Sequence, residues 1–254
     1  MCLINFQIQD HPTYKLIIAA NRDEFYERPT APAQYWDNEP DILAGRDLVQ
    51  MGTWLGITKQ GKIAALTNFR DPDQMAAGKH SRGEIVKNYL SGNNGPEEFL
   101  RALKMKKDQY VGFNVIVGNP NQMFYYNNIQ DVISEIIPGT HGLSNHFLNT
   151  PWPKVTKGKR MLIDYLMENE ELETDALFDI ISDAEEAKEE NLPKTGVSLD
   201  LERNLSPLFI KTPEYGTRSS TVLLIDRDNH VTFVERLYET GEFTKENRFL
   251  FQIE

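Results

Sequence analysis

The chain has a single cysteine, and it stands at position 2, directly behind Met1. A thiol there has no partner for an internal disulfide. Cys is small enough for aminopeptidases to remove the methionine before it, and the product then carries a thiol and a free α-amine on one residue. An α-amine titrates near about 7.7–8.0, so it can act as general base for its own thiol. The alternative is a small buried apolar residue, the usual fate of a free cysteine.

Four further groups have types and positions that can serve such a thiol. Asn21-Arg22-Asp23-Glu24 follows an apolar run, 14–20, that pairs with the run beginning at Cys2. The short turn near positions 10–13 brings Arg22 and Asp23 back beside Cys2. An arginine at that place favours thiolate, and a carboxylate holds an α-ammonium group or orients a substrate. Otherwise the run is an ordinary charged loop. In Leu66-Thr67-Asn68-Phe69-Arg70 an apolar strand runs into Asn68. A side-chain amide at a strand end can donate to the oxyanion of a tetrahedral intermediate, or it can close a turn through an Asx bond. Gly142-Leu143-Ser144-Asn145 ends in the same way, which makes Asn145 a candidate to orient the substrate or the α-amine. Gly216-Thr217-Arg218-Ser219-Ser220 offers Arg218 as an anion clamp, or as an exposed cation. Trp54, with Trp36 and Trp152, can line an acyl pocket or fill a core.

Other chemistry finds less support. The five histidines show no metal-ligand spacing on a helix, so no metal is expected. No glycine-rich phosphate loop follows a strand, Ser219 lacks a nucleophile elbow, and Phe124-Tyr125-Tyr126 reads as sheet packing. The 254 residues are 40% hydrophobic, enough for a sizeable core. A net charge of −11, from 38 acidic and 27 basic residues, argues against a nucleic-acid partner and an anionic membrane surface. No export signal is evident, and no apolar run approaches the ~18 residues that span a bilayer. The expectation is a cytoplasmic protein with no integral membrane segment, folded as one domain over 1–254.

Turn residues and apolar periodicity predict strands at 3–8 and 14–20, a loop over 21–40, and strands at 53–58 and 62–67. Helices are expected at 81–90 and 96–102, with strands at 112–117, 122–126 and 131–137. Two more helices follow, 154–167 and an acidic 174–188, then a loop-rich stretch over 191–215. Strands at 217–225 and 230–237 and an edge strand at 248–253 close the chain. Runs of strands and runs of helices, without strict alternation, indicate an α+β fold of antiparallel sheets covered by helices.

Met1-Cys2, Asn21-Arg22-Asp23-Glu24, Gly52-Thr53-Trp54-Leu55-Gly56, Leu66-Thr67-Asn68-Phe69-Arg70, Gly112-Phe113-Asn114, Gly142-Leu143-Ser144-Asn145 and Pro151-Trp152-Pro153-Lys154 together resemble the NRDE family, also called the transport and Golgi organisation protein 2 family. The resemblance runs from residue 1 to Ser220. That family in turn is similar to the cysteine branch of the N-terminal-nucleophile hydrolases, which includes bile salt hydrolase and penicillin V acylase. The resemblance implies a four-layer αββα sandwich of two antiparallel sheets between helices. It also implies hydrolysis of non-peptide amide C–N bonds in a small-molecule amide or acyl substrate, with no cofactor. By motif and order it places Cys2, Arg22, Asp23, Asn68 and Asn145 as catalytic. The relatives keep Arg and Asp a few residues apart, whereas here they are adjacent, which leaves Glu24 as an alternative acid. Arg218 stands for the superfamily's later arginine. The NRDE family has also been associated with lipid, acyl-CoA and haem handling, which implies a second reading: binding or trafficking on the same scaffold, with Cys2 as a soft metal ligand.

Overall fold

A computed structural model describes residues 2–72 and 78–254. The chain begins with the hairpin β1 (Cys2–Ile8) and β2 (Tyr14–Phe25). The strands β3 (Thr30–Trp36), β4 (Glu39–Asp47), β5 (Leu55–Thr58) and β6 (Ile63–Asn68) follow, then the helices α1 (Gly83–Ser91) and α2 (Pro96–Lys104). Strands β7 (Phe113–Asn119), β8 (Gln122–Asn127), β9 (Val132–Glu135) and β10 (Gly139–Leu143) precede helices α3 (Pro153–Glu168) and α4 (Thr174–Ile181). A short helix α5 (Leu199–Asn204) leads into β11 (Tyr215–Asp226), β12 (His230–Glu239) and β13 (Glu242–Gln252).

The strands form two antiparallel sheets, a six-stranded one in the order β10-β1-β2-β11-β12-β13 and a seven-stranded one running β3 to β9 in sequence order. Alternation along each strand divides its side chains between two faces. Ile4, Phe6, Ile18, Leu223 and Phe233 of the first sheet meet Leu43, Ile57, Ala65 and Ile116 of the second in the central core. On the outer face of the first sheet, Ile17, Ala19, Val222 and Leu224 pack against Leu162, Leu177 and Phe178 of α3 and α4. On the outer face of the second, Ala64, Val115 and Val117 pack against Val86, Tyr89 and Leu100 of α1 and α2. The result is the four-layer αββα sandwich. Burial on both faces explains why 14–20 is a continuous apolar run and not an alternating one.

Helix α3 lies close enough to β1 and β10 that two positions need glycine. A Cβ at Gly142 would come within 2.8 Å of Val155, and one at Gly158 within 2.6 Å of the Asn5 amide.

Two expectations are corrected, and a third is made more definite. The stretch 21–40 is not loop: β2 continues through Phe25, and β3 and the start of β4 occupy most of the remainder. Asn21 is fully buried, and its amide donates to the carbonyls of Ile181 and Leu208 at 2.7 and 2.8 Å while accepting from Ser220 Oγ. With those bonds made, a polar residue is stable inside a sheet. Pro32 is tolerated because β3 is an edge strand with an irregular register between Ala31 and Gln34. The acidic helix ends at Ile181, not at 188. The carboxylates that follow at 183, 185, 186, 189 and 190 would sit at repelling helical spacings, and Asp183 and Glu185 instead take Lys157 as a common partner. The stretch 191–215 holds α5, whose N-cap Ser198 accepts from the Leu201 N–H.

Because Asn21 joins β2 to β11 and to the chain beyond α4, Asn21→Ala takes the side-chain donor from two buried carbonyls. Urea unfolding should show a loss on the order of 3 kcal/mol. A loss below about 0.5 kcal/mol, the range of ordinary surface changes, would contradict this account.

Candidate active site

Antiparallel pairing of β1 with β2 sets Cys2 directly across from Arg22. Cys2 is thus the first residue of a strand held on both sides, since β10 pairs with β1 from Ile4 onward. The neighbouring residue Leu3 points outward into a small cluster with Trp152, Val155 and Leu208, so Cys2 faces between the sheets. It opens on a cavity of about 640 Å³, within the range of small-molecule sites. The six-stranded sheet contributes Cys2, Arg22, Asp23 and Glu24 to its wall, and the seven-stranded sheet contributes Gly45, Asp47, Leu66 and Asn68. Trp54, the start of α1 with Ser81 and Arg82 before it, and Leu201 and Asn204 of α5 also line it.

The strand ends are fastened to one another. Ser144 Oγ lies 3.1 Å from both the Cys2 carbonyl and Asn145 Oδ1. Asn145 Nδ2 donates to the Asn68 carbonyl at 2.9 Å, and the Asn145 carbonyl accepts from the Arg70 N–H at 2.7 Å. Thr67 Oγ1 donates to the Ser144 carbonyl at 2.5 Å and accepts from Asn114 Nδ2 at 3.0 Å. Cys2, the end of β10 and the end of β6 therefore move as one unit.

The electrostatics of Cys2 differ from expectation. Burial pushes its thiol up to about 11 in the chain that carries Met1; Asp23 adds to the rise, while Arg22 and an N–H donated by Asp23 pull the other way. The arginine acts in the expected direction, but desolvation outweighs it. Cys2 here is a neutral thiol and not a standing thiolate.

Asp23 is likewise buried, which raises its carboxyl, with Lys154 the main opposing charge; its Oδ1 accepts from Thr217 Oγ1 at 2.8 Å. Arg22 is 8% exposed, and its Nη1 is buried without a hydrogen-bond partner among the described residues. Its Nη2 lies 3.8 Å from Glu24 Oε2. Glu24 is less buried than Asp23 and is also reached by Arg28.

Two expected site residues sit elsewhere. Asn145 is fully buried and does not line the cavity; both ends of its side chain are engaged within the fold, where it holds the Asn68 backbone. Arg218 does not line the cavity either. Its Nη1 donates to the carbonyls of Phe25, Tyr26 and Arg28 at 2.9, 2.8 and 3.1 Å, so it shapes the turn after β2 and is not placed to clamp an anion.

The sequence reading missed three charged groups. Arg82 lines the cavity near Cys2, Glu24 and Arg28; only its place beside the expected helix cap Ser81 hinted at it. Glu235 is buried in β12 and lines the cavity, with Oε2 accepting from the Ala33 N–H. Its signal was a carboxylate at an inward position of an apolar strand. Lys154, 2% exposed, is the last residue of the Pro-Trp-Pro-Lys motif and sits at the start of α3. No group of three or more His, Cys, Asp or Glu side chains that could hold a metal ion occurs among the described residues.

Comparison with known proteins places this geometry. The family model described as Transport and Golgi organisation 2 matches residues 1–240. The chain belongs to that family. It is 36% identical over 256 residues to the transport and Golgi organization protein 2 homolog of Homo sapiens, covering 93% of this chain and 92% of that one. To the transport and Golgi organization protein 2 of Drosophila melanogaster it is 28% identical over 274 residues, covering 96% of each. Among solved structures, it is similar to a mutant conjugated bile acid hydrolase from Clostridium perfringens, with a TM-score of 0.53 at 9% identity, covering 97% of this chain and 92% of that one. It is similar, with the same TM-score and identity, to the Caenorhabditis elegans N-acylethanolamine-hydrolyzing acid amidase ortholog, covering 88% and 92%. At that identity the likeness is one of fold: this chain has the sandwich architecture of those two hydrolases. No helix among the described residues is long and apolar enough to cross a membrane.

Burial raises the Glu235 carboxyl to about 7 from an ordinary 4.5. The folded state therefore binds an extra proton between those values, and the stability this gives is lost as pH rises through about 7. Glu235→Gln removes that dependence. At pH 8 the variant should be more stable than the parent by about 3 kcal/mol, with the difference gone below about pH 4.5. A parent and variant whose urea midpoints differ equally at both pH values would contradict it.

Proposed function

We propose that this chain hydrolyses non-peptide amide C–N bonds, with Cys2 as N-terminal nucleophile once Met1 is removed. The observation that carries the reading is the placement of the only cysteine: at the first position of a strand, across from Arg22, opening on a cavity of about 640 Å³. The two fold neighbours are named as a conjugated bile acid hydrolase and an N-acylethanolamine-hydrolyzing acid amidase ortholog, which supports an amide or acyl substrate.

The raised thiol pKa shapes the mechanism. A neutral thiol is a poor nucleophile, and the α-amine freed on the same residue is the base within reach. The amine takes the thiol proton as Sγ attacks the carbonyl carbon, and the carbonyl π electrons move to oxygen. Asn68, at the rim of β6, donates its side-chain amide to that oxyanion together with a backbone N–H. The ammonium then protonates the leaving nitrogen as the C–N bond breaks, giving a thioester and a free amine product. Water, deprotonated by the same amine, releases the acid and restores Cys2. Asp23 holds the ammonium, with Glu24 as the less buried alternative, and Arg22 offsets the charge that develops on sulfur. Asn145 acts through Asn68 by fixing its backbone.

A second reading has one observation in its favour. With Met1 in place, a buried thiol near 11 is inert at neutral pH, which suits a pocket that holds an acyl, lipid or haem ligand without turnover. The two readings part on variants. On a panel of N-acyl amides, Cys2→Ala should abolish product release. Asn68→Ala should lower kcat by about a hundredfold to a thousandfold with KM little changed. Turnover that survives Cys2→Ala would overturn the nucleophile reading. Saturable acyl or haem binding without turnover in Met1-free protein would favour the second.

A further inference from the structure

The cavity beside Cys2 carries charges that its own wall does not balance. The chain has a net charge of −11, yet four arginines, Arg22, Arg28, Arg46 and Arg82, line this space. Four acids line it as well, Asp23, Glu24, Asp47 and Glu235, but the two sets are not paired off. Arg28 takes Asp47 in a two-point contact, Nη2 to Oδ2 at 2.7 Å and Nε to Oδ1 at 3.1 Å. Glu24 lies 3.8 Å from Arg22 and 3.9 Å from Arg28, beyond hydrogen-bond distance of either. Asp23 accepts from Thr217, and Glu235 from the Ala33 N–H. Burial disfavours the charged form of both, and Glu235, raised to about 7, is only partly ionised at neutral pH. The arginines keep their charge throughout.

Three guanidinium groups are left with donors to spare. Arg22 is 8% exposed, and its Nη1 has no hydrogen-bond partner among the described residues. Arg46 gives Nη1 to Asn38 and lies over Trp36, with Nε unbonded among the same residues. Arg82 makes one hydrogen bond among them, from Nη1 to the Gly112 carbonyl at 3.1 Å. The edge formed by its Nε and Nη2 remains available, and that edge matches a carboxylate in two parallel N–H···O bonds.

Backbone packing fixes where Arg82 stands. The Gly83 carbonyl accepts from the Thr53 N–H at 3.1 Å, and a Cβ at Gly52 would come within 2.5 Å of the Gly83 backbone. The start of α1 is thereby pinned to the wall that also holds Trp54. No side chain caps that helix, so its first N–H groups add partial positive charge there. The acid in its first turn, Glu84, is engaged by the Tyr110 hydroxyl and His80.

We propose that Arg82, with Arg22 and the start of α1, forms a subsite for an anionic group on the substrate, so that the amides this chain takes carry a carboxylate. The proposal rests on the hydrolase reading for the bond that is cleaved, whereas the anion subsite stands on the cavity's charges. The space of about 640 Å³ holds such a group together with an acyl portion.

N-lauroylglycine and N-lauroylethanolamine share an acyl chain and an amide, and differ in a carboxylate against a hydroxyl. Isothermal titration of each into Cys2→Ala protein, which lacks the thiol, reads the subsite without turnover. Near neutral pH and at low salt the glycine conjugate should bind roughly tenfold tighter or more. Arg82→Gln in the same background should remove most of that preference, Arg82→Lys should keep part of it, and added salt should reduce it. Equal affinity for the two amides, a full preference that survives Arg82→Gln, or saturable binding of neither overturns the subsite. Comparison of the two amides needs no change at Arg82, so it decides the matter even if Arg82→Gln folds poorly. Turnover by Met1-free parent protein separates this from the hydrolase reading. Cleavage of both amides with equal kcat/KM keeps the hydrolase and removes the subsite. Preferential binding of the glycine conjugate with cleavage of neither keeps the subsite and turns the cavity to the ligand-holding reading.

Discussion

The structure depends on one cross-strand register. Because β1 and β2 pair with Cys2 opposite Arg22, a residue that would otherwise fray at the chain's start is held at the edge of a cavity with a cation beside it. A slip of one residue would turn Cys2 to the outer face, where Leu3 meets Trp152 and α3. Nothing else in the site would then have a thiol to act on. The register is held by the pairing of β1 with β10 from Ile4 onward and by the Ser144 hydroxyl, which bonds the Cys2 carbonyl.

The second constraint is the cost of charge in a dry place. Asp23, Lys154 and Glu235 are all buried to within a few per cent, and burial disfavours the charged form of each. A fold selected for stability alone would place apolar residues there. The charges cluster instead around the thiol or line its cavity, the pattern expected where proton transfer has to be arranged. The two sheets share the work. The six-stranded sheet carries the thiol and its charged neighbours, the seven-stranded sheet carries Asn68, and the Ser144–Asn145 link fixes one against the other.

The sequence made the hairpin, the helix-covered sheets and the proximity of Cys2 to Arg22 and Asp23 legible, because short turns and period-2 burial are local signals. It misread 21–40 as loop because polar and proline-rich strands look like loops until their partners are known; Asn21 is satisfied by residues 160 and more positions away. It offered Asn145 for orienting a substrate or the α-amine and Arg218 as an anion clamp or an exposed cation, whereas the structure engages both in hydrogen bonds within the fold. It passed over Lys154 and Glu235 because a lone charge is by default solvated, and only the packing of distant elements shows that these two are not.

All of the proposed chemistry turns on one covalent event at the N-terminus. An α-amine exists on Cys2 only if Met1 has been removed, and without it the buried thiol has no base. Intact-mass and N-terminal peptide analysis of protein from its native host, after exposure to an activated acyl probe, tests this directly. The account predicts a chain that begins at Cys2 and carries the acyl group on that residue. Natively folded protein that retains Met1 and leaves Cys2 unmodified would contradict it.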